Sequence, residues 1–194
     1  MFEAVKPILD ESDLAVANLE SPEGNGGKKY TCKEIYLKGR PESLDALAYA
    51  GFGLVTLSNN HILDYGPKVM DQTVEGLRQR GILSVGVACP GDEADRAVYV
   101  KIREVTLAFL GYCSVCPNPF FARGTRPGVR AALPKVMSPE IRLAKSKADF
   151  VIVMVHWGKE YHRHNSYQNK LARALKKAGA DLVIGAHPHV PQKT

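Results

Sequence analysis

Asp149-Phe-Val-Ile-Val-Met-Val-His156-Trp157-Gly158 decides how this chain folds. Apolar residues run from Phe150 to Val155 without alternation and stop on a histidine. A half-exposed strand alternates apolar and polar side chains, whereas an unbroken Val- and Ile-rich run reads as a strand covered on both faces. Working outward, three more segments share the form: Asp13-Leu-Ala-Val-Ala-Asn18-Leu-Glu20, Gly53-Leu-Val-Thr-Leu-Ser-Asn59-Asn60-His61 and Asp181-Leu-Val-Ile-Gly-Ala-His187-Pro188-His189. Such strands belong to parallel or mixed sheets under helices, and ligands gather beyond their carboxyl ends. Those ends carry Glu20, Asn60, His156, His187 and His189, so an α/β fold of mixed sheets is expected together with a site.

The 194 residues suffice for one domain with its own core. Hydrophobic residues at 45% and charged residues at 24% place the chain among globular proteins and exclude a disordered one. No apolar run reaches the roughly 20 residues of a membrane-spanning helix. Met1-Phe-Glu-Ala-Val-Lys-Pro lacks the basic start and apolar core of a signal peptide. The sequence carries no mark of compartment or oligomeric state. A net charge of +6 suits an anionic substrate or polymer. Nucleic acid is not expected, because the basic residues are dispersed and no aromatic-basic motif accompanies them. Of Cys32, Cys89, Cys113 and Cys116, the last two have zinc or redox spacing, but no second pair completes a zinc site. Free thiols are the expectation, with a thiol oxidoreductase at Cys113 and Cys116 as a minor alternative.

Along the chain, Phe2, Val5, Ile8 and Leu9 form an apolar stripe that predicts the end of a helix over about 2–11. A Gly-rich loop follows the first strand at Ser21. Pro41 is expected to open a helix that Gly51 ends, and Pro67 one that Gly81 ends. Ile82 to Ala88 reads as one strand, and Val98 to Ile102 with Val105 to Gly111 as a hairpin turning at Arg103-Glu104. The Pro-, Gly- and Arg-rich stretch from Cys113 to Pro134 reads as a long surface loop, able to rim a site. Ser138-Pro139-Glu140 reads as a helix start, and another helix is expected near Tyr167–Ala178. No internal boundary, repeat or low-complexity tract divides the chain.

Imidazole, carboxylate and amide oxygen together suit Mn, Fe, Zn or Ni better than Ca. Two such cations about 4 Å apart would lower the pKa of a bridging water and clamp both oxygens of an in-line displacement at phosphorus. One histidine at a strand end is more commonly a hydrogen-bonding residue than a ligand. Two on a tight loop around Pro188, converging with Glu20, Asn60 and His156, argue for a metal. His162 and His164 lie in a polar loop and read as surface residues.

Asn18-Leu19-Glu20, Ser58-Asn59-Asn60-His61 with Asp64-Tyr65-Gly66, His156-Trp157-Gly158-Lys159-Glu160-Tyr161 and Gly185-Ala-His187-Pro188-His189-Val-Pro-Gln192, in this order, resemble the poly-γ-glutamate capsule biosynthesis (CapA) family. That family is similar to the calcineurin-like metallophosphoesterases. The resemblance implies a metallophosphoesterase-like αββα sandwich of mixed sheets, spanning residues 1–194 as a single partial domain, incomplete at both ends. It implies that Glu20 bridges two divalent ions, that Asn60, His156 and His187 complete one position, and that His189 serves the other. His61 would face the substrate, stabilising the transition state or protonating the leaving group. Asn18, Asn59, Asp64 and Glu160 would support these residues from behind. The family's N-terminal Gly-Asp strand has no counterpart: Asp10 falls on the first helix and Asp13 at the wrong end of its strand, so the site is expected to be one ligand short. The implied activity is a metal-dependent, phosphoesterase-type hydrolase, with a non-catalytic accessory protein that binds or tethers capsule polymer as the alternative. Family members are often tethered outside the cytoplasmic membrane.

Overall fold

Along Phe150–His156 the odd and even side chains enter two different cores, which is why the run shows no alternation. Val151, Val153 and Val155 pack with helices, while Ile152 and Met154 face a second sheet. The computed structural model describes residues 2–30, 33–88, 96–163 and 166–192. Its elements in chain order are α1 (Lys6–Asp10), β1 (Ala15–Asn18), α2 (Ser43–Ala50), β2 (Phe52–Thr56), α3 (Pro67–Gln79), β3 (Leu83–Val85), β4 (Val87–Ala88), β5 (Val98–Ile102), β6 (Val105–Cys113), β7 (Gly128–Val129), α4 (Pro134–Lys145), β8 (Phe150–His156), α5 (Ser166–Ala178) and β9 (Leu182–Ala186).

A parallel sheet runs in the order β1-β2-β3, and a mixed sheet in the order β5-β6-β8-β9, with β5 antiparallel to β6 and the rest parallel. Leu54 and Val85 from the first meet Phe109, Ile152 and Met154 from the second. Outside them, α2 and α3 bury Leu44, Met70 and Leu77 on one flank. On the other, α4 and α5 bury Met137, Ile141, Leu171 and Leu175. The layering is therefore helix, sheet, sheet, helix, the expected mixed α/β sandwich. Parallel register brings the carboxyl ends of β1, β2, β8 and β9 to the same side.

Several boundaries differ from the expectations. The first helix covers only Lys6–Asp10 and buries nothing, with Val5 and Ile8 exposed. The second starts at Ser43, after a turn at Pro41. Ile82 to Ala88 is not one strand. Gly86, at φ +95, breaks it, and a Cβ there would lie 2.4 Å from Ser58 Cβ. β3 stays in the first sheet while β4 pairs with β7. The stretch from Cys113 to Pro134 is no mere surface loop, since Phe120, Val129 and Ala132 are buried. Cys113 and Cys116 are joined as a disulfide, correcting the free-thiol expectation for this pair. Cys32 and Cys89 lie outside the described residues. The helix assigned to Ser138 begins at Pro134, and Pro139 lies inside it. The edge strands β1 and β9 are only partly covered: Leu182 and Gly185 are exposed.

Candidate metal centre

Each parallel strand delivers its polar residue as the sheet ladder ends. β1 stops at Asn18, and Leu19 N–H still donates to Thr56 O at 3.1 Å, carrying Glu20 beside the tip of β2. There Asn59, fully buried, accepts from the backbone N–H groups of His61 and Ile62 through Oδ1, at 3.0 and 2.9 Å. Its amide donates back to Leu19 O at 2.7 Å and Asn18 Oδ1 at 3.3 Å. Asn59 thus ties the tips of β1 and β2 together and turns Asn60 outward from the sheet. Asn18 donates to Glu20 Oε2 at 2.9 Å, which leaves Oε1 for the centre.

His156 ends β8 and is 1% exposed. Its Nε2 lies 2.8 Å from Asn60 Oδ1 and 3.3 Å from Glu20 Oε1. His187 follows β9, its ring 4.9 Å from that of His156, and ligand atoms of Glu20, His156 and His187 lie within 4.8 Å of one another. The Nδ1 atoms of His156 and His187 are buried with no hydrogen-bond partner among the described residues. A second group shares His187: ligand atoms of Glu160, His187 and His189 also lie within 4.8 Å of one another. Here Tyr161 N–H donates to Pro188 O at 2.8 Å, clamping the tip of β8 to that of β9. Tyr161, His187 and His189 take φ values of +60, +96 and +55, a conformation costly for side-chain-bearing residues and concentrated at functional sites.

Burial, helped by the neighbouring His156, holds His187 below the usual histidine range, so it offers a lone pair at neutral pH. Burial pushes Glu20 upward, but the hydrogen bond and charge of His156 prevail and hold its carboxyl below the usual range. At neutral pH His187 is thus a neutral imidazole and Glu20 an ionised carboxylate.

His61 sits beside this set, and its Nδ1 is 2.7 Å from Asp64 Oδ2. Sequence reasoning missed the fourth member of this corner. Lys33 Nζ reaches Asp64 Oδ1 at 2.5 Å, Asn60 O at 2.6 Å and His61 Nδ1 at 3.2 Å. A lone lysine in an aperiodic loop gives no sequence signal for this. Asp10 pairs with Lys6 and Asp13 with Arg103, so neither joins the centre. His162 is exposed as expected, and His164 lies outside the described residues.

The sequence pattern of the family described as "Bacterial capsule synthesis protein PGA_cap" matches residues 1–194. The chain is 37% identical over 193 residues to the PGA biosynthesis protein CapA of Bacillus subtilis, and 33% identical over 200 residues to the capsule biosynthesis protein CapA of Bacillus anthracis. These alignments take in 98% and 99% of this chain and 51% and 49% of the relatives. A Mycobacterium tuberculosis protein named a "probable polyglutamine synthesis accessory protein" is 28% identical, over 93% of this chain and 51% of its own. The chain thus spans about half the length of the curated relatives it matches. Among solved structures, a hypothetical protein of Thermus thermophilus superposes with a TM-score of 0.59 at 21% identity, over 97% of this chain and 61% of that one. A Staphylococcus aureus protein assigned as a 5'-nucleotidase and solved with α-ketoglutarate gives 0.55 at 17% identity, over 75% and 31%. These two share the fold, while the family pattern matched over residues 1–194 makes this chain a member of the bacterial capsule synthesis protein family PGA_cap.

Proposed function

We propose that residues 1–194 form a single metal-dependent, hydrolase-type domain acting on a phosphoester, or a related bond, in the making of an anionic capsule polymer. The observation that carries the reading is the meeting of Glu20, Asn60, His156 and His187 from the ends of four strands. Donors each about 2.1 Å from one cation lie roughly 3.0–3.4 Å apart in square or tetrahedral arrangements. The 2.8 and 3.3 Å separations at His156 Nε2 come close to that spacing. Two imidazoles, a carboxylate and an amide oxygen converge there, with His156 Nε2 the nitrogen turned toward Asn60 and Glu20.

Such a donor set suits Mn, Fe, Zn or Ni. A bound ion of this kind would activate a water and polarise a phosphoester oxygen. The chain's own residues supply the rest. Glu20 contributes an anionic oxygen whose direction Asn18 fixes. Asn60 and His156 hold one position with His187, and His189 marks a second. His61, braced by Asp64, is the residue placed to face substrate and to steady charge or pass a proton at the leaving oxygen. The CapA names of the relatives suggest poly-γ-glutamate synthesis as the setting.

Purified without chelator, the chain is expected to carry a bound divalent metal and, with added Mn²⁺, to cleave a generic phosphodiester. His187→Ala should lower metal affinity by more than the about 10–100-fold that loss of a merely supporting contact costs. Absence of both bound metal and His187-dependent turnover would remove the reading. The net charge of +6 and a relative named as an accessory protein favour a second one, in which the chain holds capsule polymer without cleaving it. Polyglutamate binding that weakens with salt, without hydrolysis, would mark it.

A further inference from the structure

We propose that Glu160 is itself a metal ligand and that, with His189, it builds an outer cation position that empties before the inner one. The inference deepens the metal reading above and rests on it.

The two donor groups differ in setting although they share His187. The inner one combines half-buried Glu20 with buried His156. The outer one combines exposed Glu160 and exposed His189. A neutral imidazole carries one lone pair, so with both positions filled His187 serves the inner ion and leaves Glu160 and His189 to hold the outer one, with coordination positions open. A residue that only orients an imidazole needs a hydrogen bond to its ring. Asp64 makes one to His61, whereas no such bond joins Glu160 to either histidine among the described residues, and a carboxylate oxygen instead lies within 4.8 Å of a ring nitrogen of each. The backbone makes the approach reproducible. Tyr161 N–H to Pro188 O fixes the residue after Glu160 to the proline between the two histidines, and the Tyr161 ring lies 6.2 Å from that of His189.

Exposure then sets the order of exchange. An ion held by exposed donors meets chelator and substrate anions first, while the ion behind it is screened by the strand tips. The outer position is where an anionic oxygen of the substrate would dock.

The test counts metal rather than turnover. The full chain is loaded with Mn²⁺, bound metal is measured by mass spectrometry, and release to a chelator is followed in time. Wild type should bind two equivalents that leave in a fast and a slow phase. Glu160→Gln should lose the fast equivalent and keep the slow one, with an unchanged thermal melt as expected for an exposed side chain. His187→Ala should weaken the slow equivalent. Two equivalents in Glu160→Gln, loss of its slow equivalent, or a single equivalent in wild type that the substitution leaves alone would overturn the outer position while sparing the metal reading. No bound Mn²⁺ in wild type would overturn both.

Discussion

At the residue scale, Lys33 is the side chain on which the corner of Asn60, His61 and Asp64 turns. Asp64 is fully buried, and a buried carboxylate without a cation is costly. Lys33 supplies that cation from a loop about 30 residues upstream, its side chain 15% exposed. The same ammonium grips Asn60 O and so holds the turn that aims Asn60 Oδ1 at His156. Asp64 returns the favour to the loop by accepting from Leu37 N–H at 2.8 Å, while its backbone carbonyl accepts from Tyr30 N–H. Lys33→Met should therefore cost about 3 kcal/mol of stability in urea unfolding, because it strands a buried charge. Adding Asp64→Asn should recover part of the loss, a coupling of about 1 kcal/mol or more in the double-mutant cycle. Strictly additive losses would show that the two groups do not act as a pair.

At the scale of elements, the sheets come together through glycine. A Cβ on Gly111 of β6 would lie 2.8 Å from both Gly86 Cα and Thr56 Oγ1, so the backbones of the two sheets nearly touch just below the strand tips. Gly111→Ala should cost about 2–3 kcal/mol as overpacking. Gly124 is the control: at φ +55 with nothing within 4 Å of a Cβ, its alanine variant should lose only the roughly 1 kcal/mol of the left-handed conformation. Urea unfolding of the pair separates the two costs, and equal losses would contradict the close approach. The same scale shows what the sequence could reveal. The central strands β2, β6 and β8 were legible because burial on both faces leaves its mark on every residue. Gly86 was not, since a single glycine within an apolar run does not show that the chain is leaving one sheet for another. Pro139 misled because proline favours a helix's first turn, yet Pro134 holds that place and Pro139 is carried within the helix. Phe120 and Val129 hid in a Pro- and Gly-rich stretch, since their burial depends on partners far away in sequence. The histidines and Glu20 were legible as strand-end residues, but the approach of Glu160 to His187 and His189 comes with the Tyr161–Pro188 clamp, a contact between two tips.

Across the whole molecule, the two ends of the sheets are unlike. Between the amino ends of the strands an apolar cleft of about 700 Å³ opens beside Leu14, Val16, Phe150 and Leu182. Buried and half-buried ionisable groups gather at the carboxyl ends, whereas Asp13, Asp149 and Asp181 at the amino ends are exposed, so titration should be felt most at the carboxyl ends. Burial first, and then His156, hold His187 below its ordinary 6.5. Glu20 stands below its ordinary 4.5, the hydrogen bond and charge of His156 outweighing the upward push of burial. In each case the unfolded chain binds more protons between the two values. Their contribution is then full above the ordinary value and drains away as pH falls through the lowered one. Glu23 runs the other way. Burial raises its carboxyl above 4.5 despite the Ser21 and Ser43 hydroxyls, and its Oε2 is buried without a partner. Its contribution is full below 4.5 and drains as pH rises through the raised value. Urea midpoints of the metal-free chain from about pH 4 to about pH 8 should separate the two. Wild type should lose ground to His187→Asn as pH falls below 6.5, and should lose ground to Glu23→Gln as pH rises above 4.5. Profiles that run parallel would mean that neither group changes its proton affinity on folding, and would return the acid sensitivity of the chain to its surface carboxylates.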